Sequence, residues 1–136
     1  QLIDPDGDVL RSAPFRRLAI ANPRLAPYGR AARQTLETMG LWEALRPRLV
    51  RGENIAQAFH FVHSGNAELG LLARSQINTL PAGSRGSAWE VPAKLHEPIA
   101  QQCVLLRDSP AARRFLDHLR APETLAVIRQ FGYAHP

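Results

Sequence analysis

The sequence predicts an α/β domain, a sheet flanked by helices, and three features of the 136-residue chain carry that expectation. Short aliphatic runs alternate with amphipathic stretches, the pattern of strands and helices in turn. Proline, asparagine or serine stands where each amphipathic stretch begins, and glycine stands where several of them end. Two strand-to-helix junctions, at Ala26-Pro27-Tyr28-Gly29 and at Gly52-Glu53-Asn54-Ile55, have the form in which a helix starts directly beyond a strand. Such helix starts present unsatisfied N–H groups and the positive end of the helix dipole, which suits an anion.

Taken in order, Asp4-Pro5-Asp6-Gly7-Asp8 reads as a turn joining two short strands or extended segments. Its acidic spacing does not make a calcium loop. The glycine is at the wrong offset, and Phe15 occupies the place of the bidentate glutamate. Residues 17–22 are an aliphatic strand. Residues 28–39 follow as a helix with Ala32, Leu36 and Met39 on one face and Gly40 beyond its end. A short helical piece at 42–45 and a second strand at 49–51 come next. Asn54 is an N-cap for a helix carrying Ile55, Phe59 and Val62 on one side and closed by Gly65. Residues 68–73 are expected as a strand, 75–80 as a short helix, 81–87 as a loop, 88–91 as a short strand and 98–106 as a longer one. Ser109-Pro110 opens a helix with Ala112, Phe115, Leu116 and Leu119 on one face. Pro122 opens the last, with Leu125, Ile128 and Phe131 inward and Gly132 at its end.

Composition limits the function classes. No apolar run reaches the ~18 residues of a membrane span. The chain opens on Gln1 and its only methionine is Met39, so it reads as a processed product or a fragment. Cys103, the single cysteine, forbids an internal disulfide and sits in an apolar run where a buried thiol is expected. The net charge is +5, but the basic residues are arginines scattered along the chain, with Lys94 the only lysine, and no basic stripe with interleaved aromatics appears. A solvated basic surface is expected, with no nucleic-acid partner. His60 and His63 lie three apart on one helix without a third ligand at a metal-binding spacing. No nucleophile elbow, P-loop or dinucleotide fingerprint is present, so no enzyme, catalytic residue, metal or cofactor is expected.

The order strand–Asn22-Pro23-x-x-x-Pro27-Tyr28-Gly29–helix, joined to Glu53-Asn54-Ile55-x-Gln57-Ala58, carries a specific resemblance. With the rest of residues 18–77 it resembles the second lobe of periplasmic molybdate-binding proteins of ABC importers. The likeness continues through His96-Glu97-Pro98 and ends in Ala121-Pro122-Glu123 and Phe131-Gly132-Tyr133. It implies a type II periplasmic-binding-protein-like lobe with a mixed sheet, a return strand and a C-terminal helical pair. Residues 1–96 would be the oxyanion-binding second lobe. Residues 97–136 would be the return strand and the helices that normally pack on a first lobe.

The resemblance also implies a role for two backbone amides. Those of Tyr28 and Ile55 would donate to a molybdate or tungstate ion held between the lobes, and serine or threonine groups of the first lobe would supply the other donors. This chain would therefore carry half of a site. Some members donate a further bond from a tyrosine before the proline of the return strand. Here Glu97 stands there, and an ionised carboxylate has no proton to donate. Implied partners are the ABC permease and the missing N-terminal lobe, or self-association through the C-terminal helices; the implied location is the periplasm. Two alternatives remain open at this point: a lobe for another oxyanion or small solute, and the effector domain of a transcription regulator.

Overall fold

The structure is a computed structural model that describes residues 3–4, 6–12 and 14–134. It divides into two compact units, Gln1–Ile99 and Ala100–Pro136.

Among the described residues the first unit is built on three strands, β1 (Leu18–Ala21), β2 (Leu49–Gly52) and β3 (Leu69–Gly70), in the order β2-β1-β3. Both pairings are parallel, with Leu18 opposite Leu49 and Leu69. The expected mixed sheet is therefore corrected to a parallel one. Each link between strands contains a helix, and a helical crossover returns the chain in the same direction. Central β1 is buried at all four residues, as the continuous run LAIA requires.

The sheet has two differently built faces. Leu18 and Ile20 join a core with Val9, Leu10, Phe15, Ala32, Leu36, Leu45 and Leu69. That face is covered by α1 (Val9–Ser12), α2 (Pro27–Thr38) and α3 (Trp42–Leu45). The alternate residues Ala19, Ala21, Gly52 and Gly70 face α4 (Ile55–His63). They are small because α4 lies close. A Cβ on Gly52 would come 2.7 Å from the Ala58 nitrogen, and one on Gly70 would come 2.7 Å from a Val62 methyl.

The 4–8 turn does not join two strands. The Asp4 carboxylate accepts from the amides of Asp6, Asp8 and Val9 and so launches α1. Burial opposes the charge on Asp4, but these backbone donors outweigh it and hold its carboxyl below the usual value. Pro5 lies outside the described residues. At the other end of the sheet, Glu68 takes the Arg16 Nε at 3.0 Å and the Arg17 amide at 2.9 Å, which ties the entry of β3 to that of β1.

The strand expected over 68–73 shortens to the two residues of β3, and α5 (Arg74–Asn78) follows. Residues 88–91 and 98–106 form no strand, because a strand exists only through a hydrogen-bonded neighbour and no described strand pairs with either. Single 3₁₀ turns at Ala82–Ser84 and Ala93–Leu95 punctuate this stretch.

The second unit holds α6 (Pro110–Arg120) and α7 (Pro122–Gln130). Ser109 caps α6 by accepting from the Ala112 amide, and Arg113 grips Asp108 with two nitrogens. That bond holds the Asp108 carboxyl below its usual range, although burial works the other way. Within this unit Phe115 and Phe131 are exposed, while Leu116, Leu119, Leu125 and Ile128 are half-buried. Cys103 is exposed as well, which corrects the expected buried thiol: the apolar run around it, with Leu106 95% exposed, has no sheet to enter.

Candidate functional site

The two helix starts singled out by the sequence lie at one end of the sheet, beyond the carboxyl ends of neighbouring strands. Ala21 pairs with Gly52 at the last register position, and the Asn22 amide extends that ladder by donating to the Gly52 carbonyl at 2.7 Å. Ligands of open α/β sheets gather at this end.

The turn after β1 is held by its own backbone. The Asn22 carbonyl accepts from the amides of Leu25 and Ala26, and its side-chain oxygen accepts from the Arg24 amide. Ala26 is the N-cap in extended conformation and provides no side-chain cap. Pro27, at the first helical position, brings a preset φ and no N–H. Tyr28 is thus the first residue of α2 with an amide hydrogen. Gly29 lets this helix mouth close onto the strand. A Cβ there would lie 2.5 Å from the Asn22 carbonyl carbon and 2.6 Å from its oxygen.

The second start is capped differently. Asn54 is extended, and its side-chain oxygen accepts from the Gln57 amide at 2.9 Å. The Gln57 side chain reaches back to accept from the Glu53 amide at 2.6 Å. Gln76, on α5, accepts from the Ala73 amide and donates to the Ile55 carbonyl at 3.2 Å. Three side chains therefore fix the first turn of α4, with Ile55 as its first residue. Replacing Asn54 by Ala is expected to cost about 1 kcal/mol of stability, the usual worth of a side-chain N-cap, measured as a shift in the urea midpoint at unchanged slope.

Residue 97 lies beside α2 within the first unit. The Glu97 amide donates to the Gln34 side chain at 3.1 Å, and Thr38 donates to the Leu95 carbonyl. His60 and His63 stand exposed on α4, with the His63 ring stacked on Phe59. Among the described residues no group of three His, Cys, Asp or Glu side chains is placed to hold a metal ion. Nor, among the described residues, is any helix long and apolar enough to cross a membrane.

A feature the sequence did not disclose lies next to the first helix start. Arg24, Arg33, Arg46 and Arg51, with Trp42 and Glu43, line a cavity of about 440 Å³. The four arginines come from a turn, two helices and a strand, and their spacing in the chain has no period that could have announced the grouping.

A family model described as bacterial extracellular solute-binding protein matches residues 4–134. The chain belongs to that family. It is 47% identical to the molybdate-binding protein ModA of Azotobacter vinelandii over 134 residues, 96% of this chain and 53% of that protein. It is 42% identical to ModA of Rhodobacter capsulatus, covering 96% of this chain and 52% of that one. The fold superposes on the solved Azotobacter vinelandii periplasmic molybdate-binding protein with a TM-score of 0.87 at 37% identity, covering 99% of this chain and 61% of the other. The chain thus spans about half the length of the curated relatives it matches.

Membership in the solute-binding family agrees with the expected periplasmic-binding-protein-like fold.

Proposed function

We propose that this protein is the solute-binding component of an ABC importer and captures molybdate or tungstate in the periplasm. The observation that carries the reading is that two helices start beyond the carboxyl ends of hydrogen-bonded neighbouring strands, in a chain 47% identical to a molybdate-binding protein. The function is binding, not catalysis, and it calls for no cofactor.

In this reading the amides of Tyr28 and Ile55 donate to the oxyanion. Molybdate and tungstate carry no proton at neutral pH, so every oxygen is an acceptor and N–H donors are what the ion needs. A hydrogen bond to an anion is roughly twice as strong as a neutral one. The dipoles of α2 and α4 add positive potential at the same place. Residues 1–96 form the lobe that bears these donors, and residues 97–136 return the chain and its helices toward a first lobe that supplies the remaining donors. The loaded protein then delivers the ion to the permease.

Discrimination from sulfate follows from size. Backbone amides on two capped helices are fixed in space, and a smaller tetrahedron cannot reach all of them at once. Calorimetry on the full-length protein is expected to show molybdate bound at least 100-fold more tightly than sulfate. Equal affinities would overturn the molybdate assignment.

A further inference from the structure

We propose that the arginine-lined cavity beside α2 is a second anion site, which takes a small ligand bearing two or more carboxylate or phosphate groups. The proposal goes beyond the molybdate reading and does not depend on it.

The charge balance of the cavity is the starting point. Four arginines line it against one acidic residue, Glu43. Two of the four are already engaged. Arg33 holds Glu37 at 2.7 Å and lies over the Trp42 ring, 5.3 Å from its centroid. Arg46 meets Glu43 at 3.5 Å. Arg24 and Arg51 are different: among the described residues neither side chain has a hydrogen-bond or ion-pair partner. Two unpaired guanidinium groups lining one cavity repel each other, and an anion between them reverses that term. The planar fork of arginine fits carboxylate and phosphate oxygens two at a time.

The position argues for a built site as well. Arg51 projects from β2 on the face covered by α2 and α3, in register with Ile20. Arg24 projects from the turn that Asn22 braces. The cavity therefore opens near the carboxyl ends of β1 and β2, on a scaffold fixed by the sheet. Its volume of about 440 Å³ falls in the range of small-molecule sites and exceeds what one tetrahedral ion fills. A ligand with several oxyanion groups can reach Arg24 and Arg51 together.

The test uses the full-length protein at constant ionic strength, titrated with citrate and separately with pyrophosphate, while the arginine Nε–Hε resonances are followed by NMR. Saturable shifts of the Arg24 and Arg51 signals with at least one probe are expected, with half-saturation at least tenfold below that for chloride. Whichever probe saturates tells carboxylate from phosphate. In the double variant Arg24→Gln, Arg51→Gln, the saturable response of the remaining cavity signals disappears, while the amide spectrum, the fold control, is retained because both side chains are exposed.

Shifts that stay linear with both probes, or saturation that survives in the double variant, would overturn the proposal. Molybdate titration of the same samples keeps the two readings apart. The double variant retains wild-type molybdate affinity if the helix starts bind that ion. A protein that ignores molybdate but saturates with citrate would refute the molybdate reading and leave this one standing.

Discussion

Gly29→Ala is expected to destabilise the first unit by about 2 kcal/mol, although alanine is the better helix former. In an exposed helix interior the same change gains about 1 kcal/mol. Here Gly29 is buried, and the added methyl would press on backbone, the Ala21 oxygen and the Asn22 carbonyl, with the Asn22 contacts at 2.5–2.6 Å. Backbone in a hydrogen-bonded strand end cannot rotate away as a side chain would. The overpacking cost of typically 1–3 kcal/mol, taken at its upper end because backbone must move, outweighs the propensity gain. The helix must lift from the strand, which also moves the Tyr28 amide. Urea denaturation checks the stability, with Gly83→Ala as the control: nothing lies within 4 Å of a Cβ there, and the change is expected to stay within about 0.5 kcal/mol. Equal stability of the Gly29 variant and wild type would contradict the close packing of α2 on β1.

Much of this arrangement was legible in the residues, and the parts that were not share a physical cause. Local signals located the helix starts well. Pro27, Asn54, Ser109 and Pro122 act through their own backbone or a bond three residues away, so no distant contact is needed to read them. The buried run at β1 was legible because a central parallel strand is apolar on both faces. Strand pairing is not local. Residues 88–91 and 98–106 have strand-like side chains but form no ladder, and nothing in their own residues announces whether a partner edge exists. The exposure of Cys103 follows from the same miss. Helical crossovers imply parallel strands, as the described sheet has, whereas the resemblance implies a mixed sheet.

The candidate site divides in the same way. Tyr28 and Ile55 were legible as helix-start residues, but the adjacency of those starts is a matter of register between β1 and β2. The glycines were visible in the sequence, yet the reason for each lies in what faces it: strand backbone for Gly29, the Ala58 nitrogen for Gly52, Val62 for Gly70. The arginine cavity was not legible at all, because Arg24, Arg33, Arg46 and Arg51 meet only through the fold.

The central claim is that the oxyanion is held by backbone amides at the starts of α2 and α4, and Ile55→Pro addresses it directly. Proline at the first helical position removes the N–H and keeps the helix. Asn54, at φ −140° and ψ 176°, already has the extended conformation required before proline. The fold uses the same device at Pro27, Pro110 and Pro122. Ile55→Ala trims the half-buried side chain but keeps the amide, and so separates packing from donation. A hydrogen bond to a charged partner contributes about 1.5–3 kcal/mol, equivalent to roughly 10- to 100-fold in affinity. Calorimetric titration of the full-length variants with molybdate is therefore expected to show Ile55→Pro weaker than Ile55→Ala by that factor, whereas equal dissociation constants for the two would contradict the claim.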